Sequence, residues 1–489
     1  MSLWVIVAIV ALGTAIGFLA GRRREMDLEQ WTVGGRRFGA VLMYMLLAGE
    51  LYTTFAFLGA SGWAYSRGGP SLYILAYISL GCVVSFFIMP RIWELGRRHG
   101  MQTQPDFFAA RYGNRFLNGL VCVVGIAAVI PYLQLQIEGL GIIVNVASFG
   151  GIGRAPAMVV SVGLLVAFVW ASGIRAVAWI SVLKDILMIV AALAIGIAIP
   201  HIYFGGIGPM FAALLHARPG HLTMPGATKN LDHTWYVSTV LLSSLGYCMW
   251  PHYFASAFSA RSADVIRRNA VILPLYSLTL PFIFFAGFAA VLVVPGLADG
   301  DLSLLTMIRK TFPSWFLGVA GGAGALTAMV PAAVLVLTAA TLFAKNLFRP
   351  AFAPTMSDDR VARLARIMVA IIGIASLGFA LFSSASLVSL LLIGYAGVAQ
   401  LFPGVVLGIF WRRATAAGVL SGLVAGIATA ASLLLTHHDP ILGWNAGFAA
   451  LCLNFGVTIF VSFRGSAASS EFAGRTDEPV GWQFTKHHT

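Results

Sequence analysis

The chain has 489 residues, of which 59% are hydrophobic and only 10% are charged, and its mean hydropathy is +0.87. A soluble globular domain has about 25% charged residues, so this composition excludes a soluble enzyme. The 31 Lys and Arg residues outnumber the 18 Asp and Glu residues, and the meaning of the formal net charge of +13 depends on where these charges fall.

Apolar stretches long enough to cross a bilayer recur along the whole chain. A bilayer core requires about 20 apolar residues in helical form. The polar composition after residue 464 predicts a short disordered tail at 465–489. The pattern before it predicts thirteen membrane helices, at 3–20, 38–65, 71–89, 116–148, 156–172, 174–203, 236–259, 269–295, 318–344, 365–383, 386–410, 414–436 and 441–463.

The Lys and Arg residues indicate how the helices are oriented. Cytoplasmic loops retain these residues, and 25 of the 31 fall in cytoplasmic segments if the N-terminus is outside. The odd helix number then places the C-terminus in the cytoplasm. We therefore predict a multi-pass protein of a bacterial cytoplasmic membrane, whose positive charges face anionic lipid head groups rather than nucleic acid.

Two other features of the sequence favour an intact helical bundle. The positive cluster follows the apolar run at 3–20 instead of preceding it, so this run is predicted to be a retained helix and not a signal peptide. The four cysteines lie inside predicted helices at unrelated spacings, which indicates neither a disulfide framework nor a zinc site.

Four ionisable side chains fall inside the predicted helices. An ionisable group at bilayer depth costs several kcal/mol unless it is paired or hydrated, so each one is a candidate for a functional role. The four are Glu50, Glu138, Lys184 and Asp185.

The predicted helix 38–65 carries a polar break around Glu50. Gly49 and Glu50 interrupt an apolar run, and Tyr52 and Thr53 add hydroxyl groups directly after it. Such a break is typical of a discontinuous membrane helix, whose freed backbone groups line a cavity or bind a ligand. These four residues are therefore candidate substrate-binding residues, and a Glu50 paired to a neighbouring helix for structure alone is the alternative.

A second break is predicted within 236–259, just before Pro251. Proline removes a backbone donor and clashes with the preceding turn, so the helix is expected to unwind there. This makes Tyr247, Trp250 and His252 candidate substrate-binding residues. For His252, a polar cap on a packed helix is the alternative interpretation.

The two breaks occupy corresponding positions in two blocks of five predicted helices. The blocks cover 38–203 and 236–410, and because five is odd they have opposite topology in the membrane. Interrupted helices at matching positions of inverted halves indicate a transport site near the midplane.

The predicted helix 116–148 adds polar side chains at mid-membrane depth. Gln134 and Glu138 share one helix face, and Tyr132 and Gln136 share another. Tyr132, Gln134 and Gln136 are candidates for hydrogen bonds to a small substrate, and structural bonding between helices is the equal alternative. Tyr395 and Gln400 in helix 386–410 carry less weight, because a lone tyrosine is often a packing residue.

Several short motifs together resemble the sodium:solute symporter family, in family order between residues 34 and 418. They are Gly34-Gly35-Arg36, Pro105-Asp106-Phe107, Arg111-Tyr112-Gly113, Gly173-Ile174-Arg175, Trp250-Pro251-His252, Ala344-Lys345-Asn346, and Trp411-Arg412-Arg413 with Gly418.

The resemblance implies an all-α integral membrane protein of the leucine-transporter fold, with inverted five-helix repeats. It is nearest the monocarboxylate permease-like branch, as judged by Ala328–Ala333 and the Lys184-Asp185 pair. Within a single domain at 1–464, it implies an extra helix at 3–20, core repeat one at 38–203, core repeat two at 236–410 and extra helices at 414–463.

The chain departs from the family at its sodium site. In the family, Ser and Thr hydroxyls of the eighth core helix join backbone carbonyls at the first break. Here those hydroxyl positions fall on Val330 and Pro331, which offer no oxygen ligand to a hard cation. Thr327, one turn earlier, supplies one oxygen at most, so the metal ligands of this chain stay undetermined.

The fifth core helix departs as well. The family's Asp and Gln are replaced by Ser181 and Lys184, and Asp185 follows. The resemblance implies that the Lys184 ammonium occupies the place of the missing ion, which favours proton coupling or exchange. The alternative is that Lys184 reaches out of the membrane to pair with Asp185 or a lipid phosphate. Adjacent helical residues point about 100° apart, so the two need not pair.

The sequence thus predicts a secondary active symporter that moves a small organic solute by alternating access. The solute is a monocarboxylate such as lactate or pyruvate, with its carboxylate near a half-helix N-terminus, or a small amino acid whose amine pairs with Glu50. The resemblance to the family implies sodium as the coupling ion, whereas Lys184 and its neighbours favour a proton. No other cofactor is expected.

A membrane sensor built on the same fold is the alternative from another functional class. A sensor usually carries a long cytoplasmic output domain, whereas the tail here has about 25 residues. Walker, HExxH, CxxC and GxSxG motifs are absent from the sequence, which argues against ATP-driven transport and against common hydrolases. No obligatory protein partner and no nucleic acid are expected.

Overall fold

The computed structural model describes residues 1–21, 28–171, 174–382 and 385–465, and nearly all of their regular structure is helical. The predicted disordered tail falls almost entirely outside the described residues. The helices are α1 Ser2–Gly21, α2 Leu28–Val33, α3 Ala40–Leu51, α4 Ala60–Ser66, α5 Tyr73–His99, α6 Gln104–Tyr112, α7 Arg115–Ala147, α8 Arg154–Ala171, α9 Ile174–Phe204, α10 Ile207–Ala217, α11 His233–Gly246, α12 Pro251–Ala257, α13 Ala263–Ser277, α14 Leu280–Val293, α15 Ser303–Thr311, α16 Ser314–Thr341, α17 Arg349–Phe352, α18 Asp358–Phe382, α19 Leu387–Val398, α20 Phe402–Phe410, α21 Ala416–Leu435 and α22 Ala446–Arg464.

Helices occupy all thirteen positions that the sequence predicts. Within the described residues, ten spans are long and apolar enough to cross a membrane, and the bent pair of α3 and α4 makes an eleventh. The other two predicted spans are α8, which is short, and the broken pair of α11 and α12.

Two helices differ from their predicted extents. The helix predicted at 71–89 continues to His99 and ends at Gly100, whose φ of 64° gives the left-handed conformation that glycine adopts without strain. The helix predicted at 269–295 begins earlier, at Ala263, because the Ser262 side chain caps it by accepting from the Val265 N–H. It is also divided between Ser277 and Leu280.

Both predicted breaks are present. The first lies at 52–53, directly after Leu51, where the chain bends by 54° and continues from Thr54 through a π-helical segment, Phe55–Gly59, into α4. The second follows α11 as a 3₁₀ turn, Tyr247–Met249, after which Trp250 is extended with ψ 126° and Pro251 opens α12. Proline fits this first helical position because its missing N–H would have no partner there.

Helix α16 lies at the centre of the bundle. About 94% of its most apolar stretch is buried, against 22% for α1. It packs against α1, α7, α9 and α18. Small residues allow this approach: a Cβ on Gly322 would meet the Ile9 side chain at 2.7 Å.

The spans define two faces of the molecule. We call the side on which α1 begins the N-terminal face and the side on which α1 and α22 end the C-terminal face. Following the alternation of the spans, the segments at 148–153, 205–232, 294–313 and 436–445 lie on the N-terminal face. The segments at 100–114, 258–262 and 411–415 lie on the C-terminal face.

Candidate solute and ion site

A small cavity lies where the breaks of α3–α4 and α11–α12 meet α5, α7 and α19. Its volume of about 20 Å³ holds about one water molecule, so an organic solute enters only when its walls separate. Five of the ten predicted substrate-binding residues line it, namely Glu50, Tyr132, Tyr247, Trp250 and His252. Of the other lining residues, Tyr395 is a minor candidate from the sequence. The sequence does not single out the rest, which are Leu51, Phe55, Tyr77, Tyr253 and Leu391.

Aromatic rings form most of the cavity wall. The Trp250 ring centroid lies 4.8 Å from that of Tyr132 and 5.2 Å from that of Tyr395. Tyr395 also meets Tyr77, with ring centroids 5.6 Å apart and planes at 73°, an edge-to-face arrangement. Four segments distant in sequence, namely α5, α7, the break before α12 and α19, therefore build one aromatic wall.

Glu50 contributes a carboxylate to this wall, and the side chain is only 4% exposed. Its Oε1 accepts a hydrogen bond from the Ser256 hydroxyl at 2.5 Å. Its Oε2 is buried and has no hydrogen-bond partner among the described residues. A buried carboxylate oxygen without a donor is costly, so this atom is a natural contact for a donor on a ligand.

Lys184 lies beside the first break and is completely buried. Its Nζ donates to the backbone oxygens of Gly49 at 3.1 Å and Tyr52 at 3.0 Å, and it forms an ion pair with Asp185 Oδ1 at 2.9 Å. Asp185 Oδ1 also accepts from the Tyr276 hydroxyl at 3.1 Å. An ammonium has three N–H donors, and each of them has an acceptor here.

This geometry excludes the lipid contact expected as an alternative for Lys184, and it shows the pairing with Asp185 that helix geometry leaves open. The side chain does not extend out of the membrane to a lipid phosphate, since it is completely buried. It also pairs with its neighbour Asp185, because a long flexible lysine side chain spans the 100° between adjacent positions.

The other predicted substrate-binding residues hold the break together from outside the cavity. The Tyr52 hydroxyl lies 2.8 Å from the Thr279 hydroxyl. Thr53 Oγ1 accepts from the Phe55 N–H at 3.2 Å. Gly49 packs closely on Ser181, whose hydroxyl bonds back to its own helix.

Most polar residues of α7 also form hydrogen bonds within the protein and lie outside the cavity wall. Gln136 Oε1 accepts from the backbone N–H of Thr54 at 3.2 Å and from its hydroxyl at 2.6 Å. Gln134 donates to Glu138 Oε1 at 2.9 Å, as their shared helix face predicts. Tyr132 alone of the predicted α7 residues reaches the cavity.

The residues near Gly49 do not fit a sodium ion at the family's position. The carbonyl oxygens of Gly49 and Tyr52 are already bonded to Lys184. The Val330 Cγ1 would lie 3.3 Å from a Cβ on Gly49, so the side chain of Val330 beside the first break offers a methyl group and no oxygen ligand. Thr327 Oγ1 is buried without a hydrogen-bond partner in the described structure, and it is the one hydroxyl left of the predicted set.

Two polar clusters connect helices, one toward each face, and sequence reasoning missed both roles. On the C-terminal face, Asp106 of α6 accepts from Lys345 Nζ at 2.7 Å and from Asn346 Nδ2 at 2.7 Å. Burial acts to raise the pKa of Asp106, but Lys345 and these hydrogen bonds outweigh burial and hold the pKa below its ordinary value.

On the N-terminal face, Asp301 joins the loop before α15 to the start of α19. Its Oδ2 accepts from the Leu387 N–H at 2.9 Å, and a Cβ on Gly62 of α4 would collide with it. Burial raises the pKa of Asp301 to about 7, and the nearby charges are Asp299, which raises it, and Arg154, which lowers it.

Comparison with known proteins agrees with this geometry. Residues 31–426 match the sodium:solute symporter family. The chain is 42% identical over 485 residues to the uncharacterized symporter YhjB of Bacillus subtilis, covering 96% of this chain and 99% of that protein. It is 28% identical over 461 residues to a monocarboxylate transport permease protein of Rhizobium johnstonii, covering 92% and 90% of the two chains.

The fold is similar to that of a Na⁺-coupled sialic acid symporter solved in a substrate-bound outward-open state. The TM-score is 0.80 at 16% sequence identity, covering 95% of this chain and 98% of that one. Two broken helices around a central cavity, in this fold, define a secondary active membrane transporter with inverted five-helix repeats. The chain belongs to the sodium:solute symporter family, as its motifs predict, and it is a symporter of small solutes and not an enzyme.

Proposed function

We propose that this symporter takes up a small organic solute, either a monocarboxylate such as lactate or pyruvate or a small amino acid, and that a proton bound at Lys184 drives the uptake. The name of the relative from Rhizobium johnstonii supports the carboxylate class. The distribution of Lys and Arg supports a cytoplasmic membrane location with the N-terminal face outside and anionic lipid around the C-terminal face.

The observation that carries the proton proposal is the position of the Lys184 ammonium. It bonds to two carbonyl oxygens of the first break, those of Gly49 and Tyr52. These are the kind of ligands that a sodium ion takes, and one amine contacts them both. A single positive charge in this place is therefore held by the protein itself, and only its proton is exchangeable.

The ion pair and the break together suggest how the proton moves. An ammonium in a low-dielectric interior is stable only while its acceptors surround it. When α3 moves away from α9 during alternating access, Lys184 loses the Gly49 and Tyr52 carbonyls. The proton then passes from Nζ to Asp185 or to water on the open side, which leaves Lys184 as a neutral amine until a proton from the other side binds it again.

The solute site and the proton site share one segment of chain. Glu50 lines the cavity, and its neighbour Gly49 bonds to Lys184. A solute that binds Glu50 and shifts it therefore also shifts the Gly49 carbonyl, which accepts a hydrogen bond from the Lys184 ammonium. This short connection provides a physical route for coupling, because neither site rearranges without the other.

Uptake into proteoliposomes tests the proposal. Labelled lactate, pyruvate and alanine are offered with an inward proton gradient in sodium-free buffer, and separately with an inward sodium gradient and no proton gradient. We expect the proton gradient alone to drive accumulation of at least one of them, and Lys184→Met to abolish it.

Lys229→Met is the matched control, because Lys229 is exposed in the loop at 218–232. This variant should accumulate solute like the wild type. Strict sodium dependence of the wild type, or unchanged proton-driven uptake by Lys184→Met, would contradict the proposal.

A further inference from the structure

We infer that the central cavity recognises the ammonium group of its solute, so that the transported class is small amine-bearing compounds such as zwitterionic amino acids, and not simple monocarboxylates. The inference rests on the proposed transport function and narrows its substrate. Three features of the cavity support it: an acid with a free acceptor atom, a wall of aromatic rings, and the prior use of the Lys184 ammonium and the Thr54 N–H by the protein itself.

The acid is Glu50. Its Oε1 is bonded to Ser256, whereas its buried Oε2 lacks a partner in the part of the chain that the structure describes. An ionised carboxylate accepts hydrogen bonds and donates none. A cationic donor both supplies the hydrogen bond that Oε2 lacks and keeps the buried carboxyl group ionised, because an adjacent positive charge favours the charged form.

The aromatic wall has the composition of an ammonium-binding cage. The rings of Tyr132, Trp250, Tyr395 and Tyr77 follow one another with centroid separations of 4.8, 5.2 and 5.6 Å. The face of an aromatic ring attracts a cation, most strongly for tryptophan, and such cages bind ammonium ligands in water-excluded sites. A carboxylate solute placed against the same faces gains no comparable attraction.

The cationic side chain and the backbone N–H group nearest the cavity, which would bind a carboxylate, are already in use, and the Tyr247 hydroxyl, buried without a partner in the described structure, is a neutral donor left in the wall. No Lys or Arg lines the cavity among the described residues. The three N–H donors of Lys184 go to Gly49, Tyr52 and Asp185.

The backbone at the first break is likewise engaged. The N–H of Thr54, where the second half of the broken helix begins, donates to Gln136. The sequence predicts that a solute carboxylate binds at a half-helix N-terminus. At the first break, however, this N–H donor is already bonded to a side chain of the protein. His252, whose buried Nδ1 lacks a partner in the described structure, is left as a neutral group for the rest of the solute.

Pairs of solutes that differ only in the amine test the inference. Alanine and lactate share a carbon skeleton and a carboxylate, and so do proline and tetrahydrofuran-2-carboxylate. Each compound is loaded into proteoliposomes containing the full chain, and counterflow of the same labelled compound is measured. We expect the amine member of at least one pair to exchange about tenfold faster than its partner at equal concentration.

The variant Glu50→Gln removes the charge but keeps an oxygen for Ser256. It should reduce the preference for the amine from about tenfold to less than about threefold. Glu138→Gln, the same substitution in α7 at a residue outside the cavity wall, should retain the wild-type preference. The preference is a ratio within one preparation, so it does not depend on how much of the protein folds. If Glu50→Gln yields no folded protein, Tyr395→Leu takes its place and should lower the same ratio.

The outcomes separate this inference from the transport function on which it rests. Equal or faster exchange of lactate and tetrahydrofuran-2-carboxylate would overturn the amine preference while leaving the transporter intact. Retention of the preference by Glu50→Gln would overturn the role of Glu50. Absence of counterflow for all four compounds, together with absence of pyruvate uptake under either gradient, would overturn both proposals.

Discussion

Gly49 connects the solute cavity to the proton site, because it precedes Glu50 in the chain and its carbonyl oxygen accepts from Lys184. A Cβ at this position would lie 2.5 Å from Ser181 Oγ and 3.3 Å from Val330 Cγ1. We therefore expect Gly49→Ala to lower the free energy of unfolding by about 1–3 kcal/mol, because overpacking forces a shift of backbone or neighbour. The shift moves the Gly49 carbonyl away from Lys184, so proton-driven uptake should fall as well. Thermal unfolding in detergent and uptake measure the two effects.

Gly119 provides the control for this prediction. It lies in α7, and a Cβ there meets nothing within 4 Å. Gly119→Ala should be neutral or should stabilise by up to about 1 kcal/mol, since alanine favours the helix. Adding Ser181→Gly to Gly49→Ala should restore part of the lost stability by removing the clashing side chain. Equal unfolding temperatures of Gly49→Ala and Gly119→Ala would contradict the close packing.

Lys184 and Asp185 show what the sequence reveals at the scale of single residues. Their rarity inside an apolar helix identified both as functional candidates. Helix geometry alone left their pairing open, because it fixes the direction of Cβ and not the path of a long side chain. The two carbonyl partners of Lys184 come from a helix about 130 positions away, and no local pattern reports such a contact.

At the scale of elements, Asp106 joins α6 to the π-helical segment Leu342–Phe348 that follows α16. We predict that Asp106→Ala lowers the free energy of unfolding by about 2–4 kcal/mol. The substitution removes the acceptor for Lys345, Asn346 and two backbone N–H groups, and it leaves a largely buried ammonium unpaired. Thermal unfolding in detergent measures the loss.

Asp264 is the matched control for this ion pair. It is bonded to Arg267 in an exposed pair, with a side-chain exposure of 74%. Asp264→Ala should cost at most about 1 kcal/mol, because exposed pairs contribute little. An effect of Asp106→Ala no larger than that of Asp264→Ala would show that α6 is not held by this cluster.

The broken helices were predictable from local sequence, and the cavity wall was not. Gly49 beside Glu50, and Pro251, mark the breaks because they interrupt an apolar helix with groups that weaken or remove its hydrogen bonds. Tyr77 gave no such signal, and Tyr395 gave only the weak one of a lone tyrosine in an apolar helix. Aromatic residues make up 12% of the chain, and only the packing of α5 against α19 and α11 selects these two for the cavity.

At the scale of the whole molecule, Asp301 makes the stability of the folded protein depend on pH. Burial raises the pKa of this carboxyl to about 7, so the folded state favours its protonated form. The stabilisation is full below about pH 4, where an exposed carboxyl is also protonated, and it is lost as the pH rises through about 7. We therefore expect the unfolding temperature of the wild type to fall by several degrees between pH 5.5 and pH 8.5.

Asp301→Asn should remove this part of the pH dependence, since asparagine does not titrate. Comparing the two proteins cancels the contribution of His221 and other groups on the same face. Asp106 contributes a constant amount in this range, because its depressed pKa keeps it ionised. Parallel unfolding curves for the wild type and Asp301→Asn over this pH range would contradict the prediction.

The most direct test of a proton held at Lys184 is the movement of protons that accompanies solute uptake. Proteoliposomes loaded with a pH-sensitive dye, in sodium-free buffer, receive external alanine or lactate. We predict that the lumen of wild-type vesicles acidifies as the transported solute enters, and that vesicles containing Lys184→Met show no acidification. Solute entry that requires sodium and leaves the lumenal pH unchanged would contradict the account.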